Sequence, residues 1–378
     1  MINKELYSPK KIAGVTSHEM KKFGSEDFDY CIDTFLAKSL SEKRAQFVDS
    51  IKSVLASENS EIKTIQYEGF PIAFFSLSYM GNILTISFIR ILDNFRDKLT
   101  LFMQIIFELI NESIKKGVSQ IIVFDKYILE YQKVILIKLG FMHVTNAWKK
   151  LSLNMIIDSS QLSMLNNDLI DITISEMLRA LSDKEKESTL LELEYKLFPI
   201  KFSDLDIPCY IIPIIPYWAG QLFDANISSQ TLFGANPKKL WNIENVYYRH
   251  TKPINEIAPA RILWYASKDN STGRSQSIIG ASYLEEVMTD KPKELFQKNK
   301  HYGIYEWKNI YELCNRNIEI PIRALRFGHT EVFSTPIGYQ KIQAILISNN
   351  RKRNTFASPV KIGKDIFFEI YRSGICRK

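Results

Sequence analysis

Cysteine is scarce: Cys31, Cys209, Cys314 and Cys376 are the only four in 378 residues, and no two form a Cys-x-x-Cys pair. Scattered single thiols, with no metal-ligand pair among them, fit a reducing compartment better than a disulfide framework. No run of about 18 uncharged apolar residues occurs, so no membrane-spanning helix is expected. Met1–Lys11 carries charge with no apolar stretch behind it, so no secretory leader is expected and the chain is expected to be cytoplasmic. Internal repeats and low-complexity tracts are also missing. Hydrophobic residues at 46% and charged residues at 24% are the proportions of a folded chain, not a disordered one. The length leaves room for two cores.

What is present is unevenly spread. Residues 201–378 hold 25 Lys and Arg against 16 Asp and Glu, whereas residues 1–200 hold 24 against 26. A basic half is the charge footprint of a polyanion partner such as RNA, and equally of a solvated surface.

Residues 30–57 carry apolar side chains at helical spacing, interrupted at Ser41–Arg44, where Ser41 followed by Glu42 reads as a fresh N-cap. Ile62–Tyr67 and Ile72–Tyr79 read as a hairpin turned at Glu68-Gly69. Ile83–Leu92 reads as a third strand buried on both faces. Leu101–Ile114 reads as a helix closed by Lys115, Lys116 and Gly117. Gln120–Phe124 follows as a strand, Leu129–Leu139 as a helix, and Phe141–Leu153 as a strand pair or one long strand. This order predicts an α/β (α+β) fold, with a largely antiparallel sheet, one crossover-connected part and helices on both faces. Residues 160–198 read as helical. From Pro208 onward Pro, Trp, Tyr and Gly become frequent, and Ile262–Ala266, Ile278–Ala281 and Glu319–Leu325 read as strands of a small barrel or sandwich. The expected organisation is a first domain over 1–155, a helical connector over 156–205 and a basic β-rich domain over 206–378.

The element order over 1–153, and above all Val118–Val144, where a buried strand leads to a helix ending in Leu139-Gly140-Phe141, resembles the GNAT family of acetyl-CoA-dependent N-acetyltransferases. The resemblance implies acetyl-CoA as cofactor, its pyrophosphate held where the third strand gives way to the long helix, at a Gln/Arg-x-x-Gly-x-Gly/Ala pattern. Aligned there, Arg96-Asp97-Lys98-Leu99-Thr100-Leu101 places Arg96 at the first position and Leu99 and Leu101 at the two glycine positions. Arg96, Lys98 and Thr100 are thereby cofactor-binding candidates. The backbone of Phe88, Ile89, Arg90 and Ile91 is implied to polarise the thioester carbonyl. Many members carry a Tyr four residues before the helix-ending glycine, where it protonates the departing thiolate. Leu136 stands there, and Tyr131 on the same helix is the catalytic candidate. The third strand holds no carboxylate or histidine to act as a base.

In the basic half, Ala-Arg-Ile-Leu-Trp-Tyr at 260–265, the polar turn to Ser277, Gly280-Ala-Ser-Tyr-Leu-Glu-Glu-Val287, Lys298–Trp307 and Ile318–Phe327 resemble the PUA-like superfamily with its ASCH and EVE-type domains. Those are small open β-barrels that hold RNA or modified bases. Cations neutralise phosphates and aromatic rings stack on unpaired bases, which marks Tyr248, Arg249, Arg261, Trp264, Arg323, Arg326 and His329 as nucleic-acid candidates. Trp264 and Tyr265 alternate across one strand, so the other reading makes at least one of them core. Two functions follow as expectations. One is an N-acetyltransferase acting on an amine, RNA-borne or RNA-bound. The other is a catalytically inactive scaffold serving as an RNA-binding or regulatory protein of the toxin–antitoxin or stress type.

Overall fold

The computed structural model describes residues 15–19, 25–164, 182–223, 243–253, 256–268, 274–302 and 304–375. These residues form two compact units, 15–202 and 203–375, a mixed α/β architecture in which each unit has its own sheet.

The first unit opens with β1 (Val15–Glu19), α1 (Ser25–Phe35) and α2 (Arg44–Leu55). The break between the helices comes later than the Ser41 N-cap expected from sequence. Ser41 is left-handed at φ 59°, and Lys43 is the residue that caps α2. Glu42 stays outside both helices, and its Oε2 accepts from Ala37 N–H at 2.8 Å. Strands β2 (Ser60–Tyr67) and β3 (Phe70–Met80) join through Glu68 and Gly69, both at positive φ (51° and 86°), the geometry whose twist matches a two-residue hairpin. The apolar run expected as one third strand is two, β4 (Ile83–Ile86) and β5 (Ile89–Ile91). The long helix α3 (Lys98–Lys116) ends at Gly117, whose φ of 74° makes the left-handed cap that its sequence predicts. Then come β6 (Gln120–Val123), α4 (Glu130–Lys138), and the hairpin of β7 (Met142–Val144) and β8 (Ala147–Leu151). The sheet runs β1-β2-β3-β4-β6-β8-β7, with β5 on β3. Among the described residues of this sheet β4 and β6 pair in parallel and every other pair is antiparallel. Phe35, Phe47, Ile51 and Val54 from α1 and α2 close over Phe74 and Phe88 of the sheet in one apolar cluster.

The unit finishes with β9 (Ile156–Ile157), α5 (Asp183–Lys196) and β10 (Lys201–Phe202), β9 and β10 pairing in parallel. Residues 165–181 of the expected connector helix lie outside the described residues. The end of α5 sits on the turn after α4: a β-carbon on Gly140 (φ +80°) would overlap the Lys196 carbonyl.

The second unit is built on one sheet, ordered β12-β15-β14-β13-β11-β16. Its strands are β11 (Cys209–Ile214), β12 (Glu244–His250), β13 (Ala260–Ala266), β14 (Ser277–Asp290), β15 (Ile322–Gly338) and β16 (Val360–Ile362). β11 and β13 run in parallel and the rest antiparallel. Among the described residues the end strands β12 and β16 do not pair with each other, so the sheet is not closed into a ring. Helices α6 (Pro216–Leu222), α7 (Pro292–Asn299), α8 (Trp307–Leu313), α9 (Tyr339–Ser348) and α10 (Lys364–Ile375) surround it. Trp264, Phe327, Leu284 and Tyr210 lie at its centre. Gly280 is needed where β14 crosses β15, because a β-carbon would stand 2.5 Å from the Glu331 carbonyl oxygen.

Candidate active site

The first unit's sheet is interrupted at Ser87–Phe88. Ser76 Oγ, from β3, accepts from the N–H groups of both Ser87 (2.9 Å) and Phe88 (3.2 Å), and Ser76 N–H donates to the Phe88 carbonyl at 3.1 Å. This side-chain stitch lets the strand jog. Before it, β4 pairs with β6; after it, β5 pairs with β3 alone. A cleft of about 860 Å³ opens at the jog, walled by α2, the loop after β6 and the β7–β8 hairpin. Phe88 and Arg90 line it, while Ile89 and Ile91 alternate to the other side of the strand.

Two carboxylates that the sequence reading did not assign meet Arg90 there. Arg90 Nη2 pairs with Glu42 Oε1 at 2.9 Å, and Arg90 Nη1 pairs with Asp125 Oδ2 in a very short contact. All three side chains are buried, with 7%, 3% and 2% of their surface exposed for Arg90, Glu42 and Asp125. The guanidinium also lies 5.4 Å from the Phe47 ring centre and 5.6 Å from that of Tyr127. Two carboxylates thus meet one arginine at the floor of the cleft, and Lys126 and Lys133 also line it. Asp125 follows the predicted strand directly and Glu42 sits in the predicted helix break, but only folding brings them to one arginine.

The remaining candidates of this unit lie elsewhere. Arg96 is exposed and makes no ion pair among the described residues. Lys98, the first residue of α3, folds its Nζ back onto the Asp93 carbonyl at 2.8 Å and lies 5.7 Å from the Tyr131 ring centre. Thr100 is half-buried on the same turn. Tyr131 packs edge-on to Phe102 at 6.2 Å, and burial, with the nearby charge of Asp93 adding to it, pushes its phenol pKa far up. Leu101, at one glycine position, is wholly buried in the core, and Leu136 likewise. Leu99 stands half-buried.

At the phosphate end of the expected cofactor site, α3 begins without a side-chain cap from Asp97, and Arg96 stands exposed before the helix's positive pole with no ion pair among the described residues. At the thioester end Ile89 N–H, one of the amides expected to polarise the carbonyl, already donates to Asp125 Oδ2 at 2.9 Å.

Most of the nucleic-acid candidates are not on a surface. Arg261 is fully buried, donating to the Leu205 carbonyl at 3.3 Å, with its guanidinium 4.9 Å from the Phe368 ring centre. Arg249 and Arg323 are buried together on Glu256, through contacts of 2.7 Å each. Burial lowers the Arg249 pKa while Glu256 opposes it. Tyr248 is buried with its hydroxyl on the Leu295 carbonyl, and Trp264 is core, its Nε1–H donating to Ser282 Oγ at 2.8 Å. The polar atoms of these five are enclosed and already engaged within the fold. Arg326 and His329 differ. They are partly exposed and share Glu285, at 4.0 Å and 3.8 Å, and Arg326 also pairs with Glu286 at 3.0 Å.

No protein-family model matches the chain, and no curated protein matches it. Among solved structures, an ASCH protein from Zymomonas mobilis is similar over 43% of this chain and 92% of its own, at 17% identity and a TM-score of 0.30. The ribosomal-protein-S18-alanine N-acetyltransferase from Escherichia coli is similar over 34% and 77%, at 15% identity and a TM-score of 0.26. A GNAT family acetyltransferase from Elizabethkingia anophelis, with acetyl-CoA bound, is similar over 35% and 78%, at 16% identity and a TM-score of 0.27. Likenesses of this size carry no weight for the chemistry, which rests on the residues above.

Proposed function

We propose that the first unit is an N-acetyltransferase that moves an acetyl group from acetyl-CoA to an amine lodged in the cleft beside α2. The interruption at Ser87–Phe88 carries this reading: it leaves a strand edge without a strand partner in the middle of a sheet, next to a cleft large enough for a small acceptor. Acetyl-CoA, when bound, supplies the activated acyl carbon. Arg96 neutralises phosphate at the start of α3. A carboxylate oxygen of Glu42 or Asp125, held beside Arg90 at the cleft floor, takes the proton that the amine must lose. Tyr131 keeps its proton at neutral pH, as a donor to a leaving thiolate must.

The Asp125 contact to Ile89 N–H favours a second reading, a unit that keeps this scaffold without transfer and works as an RNA-binding or regulatory protein. Calorimetric titration with acetyl-CoA, on protein freed of nucleic acid, separates the two. Saturable micromolar binding, weakened about tenfold in Arg96→Ala at unchanged melting temperature, is the expected result for loss of one charge-assisted phosphate contact. Amines, including RNA-bound ones, are then the acceptors to screen. A folded sample that binds no acetyl-CoA overturns the acetyltransferase reading and leaves the second.

A further inference from the structure

The parallel ladder between β4 and β6 does not simply stop. Phe124 N–H still reaches the Ile86 carbonyl at 2.8 Å, and one residue later Asp125 turns its carboxylate across the gap. Its Oδ2 accepts from Ile89 N–H at 2.9 Å and from Arg90 Nη1, while its Oδ1 accepts from Tyr127 N–H at 2.9 Å. Arg90 in turn holds Glu42, which holds Ala37 N–H. One buried arginine thus ties the α1–α2 connection, β5 and the β6–α4 loop together. A side-chain oxygen, not a strand carbonyl, therefore accepts from Ile89 N–H. A second observation points to a ligand at the same place. Arg90 Nε is buried, in a residue that lines the cleft, and has no hydrogen-bond partner. Buried donors are rarely left so.

We propose that Asp125 is an internal occupant of the transfer position, a latch that the carbonyl of an acyl ligand displaces from Ile89 N–H. This rests on the acetyltransferase reading and adds what regulates that site. Displacement exchanges one acceptor for another at the same amide. Asp125 can give up Ile89 and keep both Tyr127 N–H and the Arg90 charge, so no buried ion is stranded. The latch therefore lowers affinity for the acyl end of the ligand and leaves the phosphate end alone.

The test is calorimetric binding of acetyl-CoA and of adenosine 3′,5′-bisphosphate, which lacks the acyl end, to the full chain and to Asp125→Ala. Asp125→Asn, which keeps the shape and an acceptor oxygen, serves as the second variant, and Arg90 stays paired with Glu42 in both. The expected result is acetyl-CoA binding about tenfold tighter in Asp125→Ala, since one charge-assisted acceptor no longer competes. Asp125→Asn falls between the two, and the bisphosphate binds all three equally. Equal acetyl-CoA affinity in folded wild type and variants overturns the latch and leaves the acetyltransferase reading standing. Weaker binding in Asp125→Ala also overturns it, because Asp125 would then hold the ligand. No acetyl-CoA binding by any of the folded proteins overturns both.

Discussion

Gly140 shows how far a single residue is constrained. It stands at φ +80°, where an L side chain is strained, and its α-carbon lies against the Lys196 carbonyl. Gly140→Ala is expected to cost about 2–3 kcal/mol, from backbone strain together with overlap that the end of α5 has to relieve. Denaturant unfolding measures the loss directly. Beside it Lys150 is buried, with its Nζ–H on the same carbonyl at 2.9 Å, and burial pushes its pKa down to about 7 from the ordinary 10.5. Between those values the folded protein binds fewer protons than the unfolded chain, so this residue makes stability rise with pH across that window. Below it, both states are protonated and the full cost of burying the charge is present. Lys150→Met removes the slope. Unfolding measured near pH 7 and near pH 9 should favour the higher pH in the native protein and differ far less in the variant. A difference that survives in Lys150→Met assigns the slope to other groups.

At the scale of elements, the jog in the third strand is what makes the cleft, and Ser76 on the neighbouring strand makes the jog. Ser76→Ala leaves the amides of Ser87 and Phe88 without their acceptor. The expected cost is about 2 kcal/mol, with faster amide hydrogen exchange at those two residues. Ser76→Thr, which keeps the hydroxyl, should restore most of the protection, and an unchanged exchange rate in Ser76→Ala would remove Ser76 from the cause. The hairpin at Glu68-Gly69 and the cap at Gly117 were legible in the sequence because positive φ and helix ends are local matters. The jog was not. Ile83–Leu92 is an unbroken β-prone run, and Ser87 and Phe88 are ordinary strand residues, so nothing within the run marks where pairing changes partner. The signal lies in Ser76, eleven residues upstream.

For the whole molecule, the charge census and the charged surface are different things. Residues 201–378 carry the basic surplus, yet Arg249, Arg261 and Arg323 are buried, two of them sharing Glu256. Arg261→Ala is therefore expected to lower stability by about 2–4 kcal/mol, as loss of a buried, packed cation does, and to leave the salt dependence of any RNA retention unchanged. Arg326→Ala, at a partly exposed site, should do the reverse, with stability within about 0.5–1 kcal/mol of wild type and any retention reduced. Retention of RNA on a filter across a salt series, beside melting curves, distinguishes these outcomes. A fall in retention with Arg261→Ala at unchanged melting temperature would return that residue to the surface.

The sequence by itself determined the hairpin turn of the first unit, its long helix and that helix's glycine cap, because periodicity and turn chemistry act over a few residues. It also held every member of the Arg90 cluster in plain view. Only the tertiary structure decided that Glu42 and Asp125 meet Arg90 across 48 and 35 residues of chain, that Asp125 takes the Ile89 amide, and which arginines of the basic half face inward. Those outcomes depend on which face of a strand turns to which neighbour. A charged residue reads the same in sequence whether it ends in water or against a buried partner.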